Sequence, residues 1–463
     1  MVQKILDLHI HSKYSRACSK DLDLPNIARA CVIRGIDIVA TGDFTHPKWF
    51  EHIKENLIEE NDGIYKLRTQ NSELRTKFIL GTELSCIKKH KDQTRRVHVC
   101  VFAPSVEVVE KFNNKLETMG FNLKSDGRPI LGLTVKQLLE IMLEVDERMI
   151  MIPAHAWTPW FGIFGSKGGY NNLEEAFEEL TPNIFAIETG LSSDPLMNWR
   201  LSALDNIALI SNSDAHSTAK LGREANVLEF ESEKNINYDN IFNIIKQSSN
   251  ILVDSGNFGN LSSINNRTQI SQIPKIYQNL PGKFLYTIEF FPEEGKYHYD
   301  GHRDCQFVCS PEETKKLKGI CPKCKKALVI GVENRVHELA DRTDDEALRL
   351  ASLTQSRRVP YKSLVPLPEI IADTYECGVS TKRVKEEYDN LIKKLGNEFH
   401  ILLNSSLEEI TKASNKDISE AINRVRTGKI YVRPGYDGEF GIVKVFGDKE
   451  NRGGLKQIGL DLE

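Results

Sequence analysis

The feature that most limits how this chain can fold is a recurring pattern of short apolar runs that end in, or carry, histidine or a carboxylate. "LDLHIHSKYSR" opens it near the N-terminus, with His9 and His11 one residue apart. "KFILGTELSC" carries Glu83, "RRVHVCVFAP" carries His98, "MIMIPAHAW" carries His155, and "NIALISNSDAHS" carries Asp214 and His216. In an extended strand, residues i and i+2 share a face. Asp7, His9 and His11 are therefore expected on one face, with Leu8 and Ile10 on the other. Asp214 and His216 repeat the spacing. One His-x-His pair is weak evidence for a metal, because a satisfied polar pair at a strand end is commoner. Recurrence strengthens the case. Burying so many titratable groups without partners is costly. Imidazoles and carboxylates are the usual ligands of catalytic zinc, manganese and iron, and a shared metal cluster removes that cost.

Helical stretches alternate with these runs. "LDLPNIARACVIRG" reads as a helix with Asp23 as N-cap, Pro25 in the first turn and Gly35 as the stop. "TVKQLLEIMLEVDE" and "IFNIIKQSS" read as further helices, and "IDIVATGDF" and "NIFAIETG" as strands. The alternation predicts a parallel sheet or barrel. Strand C-termini are where an α/β barrel carries its chemistry. His9, His11, Asp43, Glu83, His155, Asp214 and His216 are expected there, with His98 nearer the middle of its strand.

The length of 463 residues is too great for one ordinary core. Composition changes near residue 255, where "NFGNLSSINNRTQISQIPK" reads as a linker or exposed loop. The expected organisation is a barrel over 1–255, a linker and cysteine module over 256–344, and a mainly helical region over 345–463. "KIYVRPGYDGEFGIVKVF" should form a terminal hairpin around Gly-Tyr-Asp-Gly. The net charge of −4 gives no evidence for nucleic-acid binding and leaves room for a local basic groove. No apolar run approaches the roughly 20 residues of a membrane span. Cys18, Cys31, Cys86, Cys100 and Cys377 are scattered, and no signal peptide is evident. Reduced thiols and a cytoplasmic, nucleoid-associated location are expected.

The other four cysteines cluster. Cys321-Pro-Lys-Cys324 is a C-x2-C knuckle, and His302, Cys305 and Cys309 lie upstream. Such a set reads as a structural zinc site. The spacing of His302 and Cys305 mirrors the knuckle and favours His302 as fourth ligand, with Cys309 as the rival. A module this small needs the metal to fold.

"DLHIHSKYS", "GTEL", "VHVCVFAP", "PAHAW" and "SNSDAHS" resemble the motifs of the polymerase and histidinol phosphatase (PHP) superfamily. That resemblance implies a distorted (β/α)7 barrel with two or three divalent metal ions (zinc, manganese or magnesium) and phosphoesterase activity. By motif, His9, His11, Glu83 and Asp214 correspond to ligands of one ion. Glu83, His98 and His155 correspond to those of a second, with Glu83 bridging. His216 matches a third-metal ligand. In "ATGDFTHP", Asp43 stands where that superfamily usually has a histidine. Asp214, Glu83 and His155 are the expected catalytic set.

The order of parts, with "GKYHYDGHRDC…GICPKCKK" after the barrel and "RPGYDGEFG" near the end, resembles the endonuclease Q family of repair nucleases. This implies metal-dependent cleavage 5′ of a deaminated base (uracil, hypoxanthine or xanthine) or an abasic site. Damaged DNA, double- or single-stranded, is the implied partner, and the family is associated with a sliding clamp. A small phosphate ester is the alternative substrate. "HAWTPWFGIFGS" offers Trp157, Trp160 and Phe161 as stacking surfaces for a base taken out of its helix. Arg16 and Arg223 follow strand-end ligands and are candidate phosphate contacts. Asp7 is expected to orient one of the histidines.

Overall fold

The N-terminal run "VQKILD" forms a strand, Val2–Asp7, whose last two residues are buried. It pairs in parallel with Ile38–Ala40 and antiparallel with Ala225–Phe230. The computed structural model of the protein describes residues 1–91, 93–248, 281–353 and 358–447, and the backbone of 456–458. This first strand lies inside an eight-stranded sheet that also includes Lys77–Ile79, the hairpin of Leu57–Asn61 and Ile64–Leu67, Gly282–Glu289 and Tyr361–Ser363. A second sheet contains Gly81–His90, Gln93–Phe102, Ile150–Pro153 and the short Ile130–Leu131. Ala186–Glu188 and Ala208–Ile210 form a parallel pair. Main-chain bonds from Ala156 N to Glu188 O and from His11 N to Ala215 O link these groups of strands into a distorted barrel.

The interior is one apolar cluster. Leu6, Ile38, Ile79, Phe102, Ile152 and Ile210 each come from a different strand and all are essentially inaccessible. Helix Tyr238–Ser248 adds Tyr238, Phe242 and Ile245 to the same cluster. Val2 and Ile150, at the starts of their strands, pack there too, so this helix closes the end opposite the histidines.

The barrel is not uniformly parallel. Gly81–His90 and Gln93–Phe102 form a long antiparallel hairpin, from Gly81 opposite Phe102 to His90 opposite Gln93. A parallel pair would need a crossover of a dozen or more residues, and only residues 91 and 92 lie between them. "KFILGTELSC" is also two strands. Lys77–Ile79 ends one sheet, Leu80 intervenes, and Gly81–His90 begins the next. Glu83 is therefore near the start of its strand and not at a C-terminal end.

The helices follow their signals. In Leu24–Arg34, Asp23 accepts from Asn26 N, Gly35 closes the end with φ of +92°, and Leu24, Ile27, Ala28 and Cys31 face the core. Thr134 and Gln137 form a capping box at Val135–Val145. The cysteine module follows as the hairpin of Asp300–His302 and Phe307–Cys309 plus the knuckle around Cys321. Arg335, from helix Val332–Leu339, fastens it to the barrel by donating to the carbonyls of Phe164 and Tyr170. The helices Leu367–Thr374, Lys382–Leu395, Glu398–Leu403, Leu407–Ala413 and Lys416–Arg426 build the C-terminal region. It docks on the barrel through the Arg34–Glu398 ion pair. Ile430–Arg433 and Ile442–Lys444 form the expected hairpin, with Gly438 at φ of +87° in its loop. The stretch read as a linker, 257–275, lies outside the described residues. No helix among the described residues is long and apolar enough to cross a membrane.

Candidate metal centre and substrate cleft

The N-terminal strand stops at Asp7, and the next residues are tied across the barrel instead of along a sheet. Leu8 N donates to Asn212 Oδ1 at 2.8 Å, and His11 N donates to Ala215 O at 3.1 Å. This brings His9 and His11, both buried, beside Asp214. Asp7 does not orient a histidine. Its carboxylate accepts from Ser213 N and Gly222 N, so it fixes the loop that carries Asp214. Burial pushes the Asp7 carboxyl up to about 6.

Glu83 is the hub. Its Oε2 lies 3.0 Å from His11 Nε2 and 3.4 Å from His9 Nε2. Its Oε1 lies 2.7 Å from His98 Nδ1 and 3.1 Å from His155 Nε2. Asp214 Oδ1 completes the first group, 3.1 Å from His11 Nε2 and 3.6 Å from His9 Nε2. Each group can offer ligand atoms within 4.8 Å of one another. Burial alone would raise the Glu83 carboxyl, but Arg128 and the facing imidazoles hold it well below the usual carboxylate range. His9 Nε2 is buried without a hydrogen-bond partner. An orphaned imidazole nitrogen facing two carboxylates fits a cation, and the donor set suits zinc or manganese.

The ring nitrogens turned away from this hub are held. His9 Nδ1 faces Glu188 Oε2 at 2.9 Å, His11 Nδ1 faces Asp43 Oδ1 at 3.0 Å, and His155 Nδ1 faces Thr158 Oγ1 at 2.9 Å. Such contacts fix the orientation of a ligating imidazole. Asp43 is thus spent behind His11 and does not face either group. Its other oxygen accepts from the amide and hydroxyl of Ser12 and from the hydroxyl of Ser15. The His216 ring packs tilted against His11 with centroids 4.5 Å apart, and its Nδ1 faces the carbonyl of Asp214 at 2.8 Å, so it borders the centre without joining either group.

Four non-glycine residues here have left-handed backbones: Asp43 (φ +47°), His155 (φ +30°), Phe161 (φ +70°) and Asp214 (φ +46°). Each such residue costs on the order of 1–3 kcal/mol and persists because its surroundings over-determine it. Phe161 is pinned by a 2.8 Å bond from His98 N to its carbonyl, and its ring stacks on His98 at 4.2 Å.

A cleft of about 420 Å³ opens over the two groups, rimmed by Arg128, Trp160, Phe161, Leu191 and Tyr297. Trp160 is 38% exposed and meets Tyr297 edge-on. Trp157 is not a stacking surface. It is buried against Phe164, and its indole N–H donates to Asn198 Oδ1 at 2.7 Å. Arg16 is well exposed and paired with Asp126. Arg223 donates to the carbonyls of Ser213 and Asp214 and so braces the Asp214 loop. Three of the charged and aromatic cleft residues, Glu188, Arg128 and Tyr297, escaped the sequence reading. Glu188 had a signal, a lone carboxylate ending "FAIETG". Arg128 and Tyr297 lie in irregular segments and had none.

In the cysteine module, His302, Cys305, Cys321 and Cys324 can offer ligand atoms within 4.8 Å of one another. Cys309 stands apart, buried, with its sulfur 3.2 Å from Thr314 Oγ1. The geometry favours His302 over Cys309.

Residues 366–429 match the family model of the MJ0043 C-terminal domain. The uncharacterized protein MJ0043 of Methanocaldococcus jannaschii is 31% identical over 291 residues, covering 62% of this chain. That match spans only 31% of MJ0043 itself. The uncharacterized protein YqxK of Bacillus subtilis is 26% identical over 95% of this chain and 98% of its own length. The crystal structure of the lesion-specific endonuclease PfuEndoQ from Pyrococcus furiosus superposes with a TM-score of 0.76 at 29% identity, covering 96% of this chain and 95% of that one. A second structure, endonuclease Q with a 27-mer duplex substrate bearing an abasic lesion at its active site, gives the same TM-score and identity over 97% and 99% of the two chains. With its distorted barrel, cysteine module and mainly helical C-terminal region, the chain resembles endonuclease Q over nearly its whole length.

Proposed function

We propose that this protein is a metal-dependent DNA repair endonuclease that hydrolyses the phosphodiester 5′ of a deaminated base (uracil, hypoxanthine or xanthine) or an abasic site. The observation that carries the reading is the position of Glu83. One buried carboxylate faces two ligand groups, one through each oxygen, and His98, His155 and Asp214 of those groups line a cleft with aromatic walls. The resemblance to endonuclease Q supports DNA as the substrate.

In this reading His9, His11, Glu83 and Asp214 hold one divalent ion, and Glu83, His98 and His155 hold a second. Such ions polarise phosphoryl oxygens and make water a competent nucleophile at neutral pH. The chain supplies the rest. Asp43, Glu188 and Thr158 lock the imidazoles from behind, so the centre needs little reorganisation. Trp160 and Tyr297 present rings to a base taken out of the helix, and each stacked base is worth about 1–3 kcal/mol. Phe161 covers His98 and keeps water off that face. His302, Cys305, Cys321 and Cys324 hold a structural zinc that folds the small module.

The test uses duplexes carrying deoxyuridine, deoxyinosine, an abasic analogue or no lesion, with Mg²⁺ or Mn²⁺. Nicking confined to lesion strands is expected. Equal cutting of undamaged DNA, or hydrolysis of a small phosphate ester alone, would sink the proposal.

A further inference from the structure

The cleft needs a cation for the phosphate backbone, and the two arginines suggested by sequence are engaged elsewhere. Arg16 pairs with Asp126 and does not line the cleft, and Arg223 is spent on main-chain carbonyls. Among the described residues lining the cleft, Arg128 is the one lysine or arginine. Its Nη1 lies 2.8 Å from Glu83 Oε2, the oxygen that also faces His9 and His11. The Glu83 side chain is inaccessible, whereas the Arg128 side chain keeps 26% of its surface. A guanidinium carries five N–H donors, so one anchored on Glu83 leaves others for a second anion. Its planar fork matches a phosphate as well as a carboxylate.

The backbone places this group firmly. Asp126 Oδ1 accepts from both Arg128 N and Arg16 N, at 3.2 Å each. Gly127 N donates to Tyr14 O at 3.1 Å. A Cβ at Gly127 would collide with the Asp43 carboxylate and the Ser15 hydroxyl, the same groups that fix His11. The loop is therefore seated directly on the support of the metal ligands.

Resting on the endonuclease reading, we propose that Arg128 is a catalytic residue that grips the phosphate being cut, bridging its non-bridging oxygens to Glu83. The scissile group would be held on the Glu83 hub from two sides. Anchoring on Glu83 also gives the guanidinium a fixed distance from the reacting phosphorus, which a free surface arginine lacks.

The full-length protein and its Arg128→Met and Arg128→Lys variants test this with two readouts. Binding to an abasic-analogue duplex is followed across salt concentrations in chelator, where no cutting occurs. Single-turnover cleavage is followed in Mn²⁺. Arg128→Met should lower the slope of log affinity against log salt by about one phosphate contact. It should slow cleavage by about 100-fold, the scale for losing one donor to a developing anion. Arg128→Lys should keep the slope and recover only part of the rate, because it keeps the charge and loses the fork. A slower reaction with an unchanged slope would mean that Arg128 acts only on Glu83, and would overturn the proposal. So would a lower slope with an unchanged rate, or no change in either. Melting curves of both variants identify misfolding, in which case the Arg128→Lys comparison decides. If the wild-type protein neither binds nor cuts lesion DNA, the endonuclease reading fails first, which is a distinguishable outcome.

Discussion

Glu188 joins the two ligand groups from behind. Its Oε2 lies 2.9 Å from Nδ1 of His9 and accepts the backbone N–H of His155 at the same distance. Its Oε1 accepts from the Asn212 side chain at 2.7 Å. Asn212 also takes the Leu8 N–H, so the His9 segment, the His155 turn and the Asp214 loop meet at this carboxylate. Glu188→Gln keeps the shape and removes the charge. It should weaken metal binding by roughly 10- to 100-fold, the usual cost of losing such a support. Competition titration with a chromophoric chelator measures this, and an unchanged affinity would refute the assigned role.

Two tryptophans three residues apart should respond in opposite ways. Trp157 is buried and hydrogen-bonded to Asn198, so Trp157→Ala should destabilise the fold by about 3–5 kcal/mol. Trp160 is partly exposed at the cleft rim, so Trp160→Ala should leave stability within about 1 kcal/mol and weaken binding of lesion duplex by about tenfold. Denaturant titration and anisotropy measure the two effects. A reversed pattern would place the wrong ring in the cleft.

The cysteine module gives a counting experiment. Cys321→Ser with Cys324→Ser should remove about one zinc per chain, as should His302→Ala. Cys309→Ser should retain it, because that thiol faces Thr314. Elemental analysis of the purified variants reads the result. Loss of zinc in Cys309→Ser would restore the four-cysteine alternative.

Glu289 predicts a pH dependence of stability. Burial pushes its carboxyl from 4.5 up to about 7, only partly offset by the hydroxyls of Thr287, Thr189 and Ser211. The folded protein thus binds this proton more tightly than the unfolded chain does. That stabilisation is complete below about pH 4.5 and is lost as pH rises through about 7. Glu289→Gln has no proton to lose. Its melting temperature relative to wild type should therefore rise between about pH 5 and pH 8. A difference that stays constant over that range would contradict the assignment.

Much of this centre is legible in sequence because strand ends carry it. His9, His11, His155 and Asp214 all follow short apolar runs, and barrel closure brings those ends together. Position along a run is a weaker guide to what a side chain touches. Asp7 shares the i, i+2 pattern with His9, yet the strand stops at Asp7 and its carboxylate turns to Ser213 and Gly222. Asp43 sits in a ligand motif but lies behind His11, where its carboxylate is taken by the His11 ring, Ser12 and Ser15. Glu188 and Arg128 meet partners distant in sequence, Asn212 and Glu83, and no local pattern encodes those meetings. The same holds for Trp157, whose buried indole N–H meets Asn198.

The central claim is that Glu83 serves both ligand groups in one cleavage centre. The most direct test maps the cut at nucleotide resolution on a 5′-labelled deoxyuridine or abasic-analogue duplex, for wild type and Glu83→Gln, with Mn²⁺ and with chelator. The account predicts a single nick 5′ of the lesion for wild type, and none above the chelator background for Glu83→Gln. Undiminished lesion-specific cutting by Glu83→Gln would contradict it.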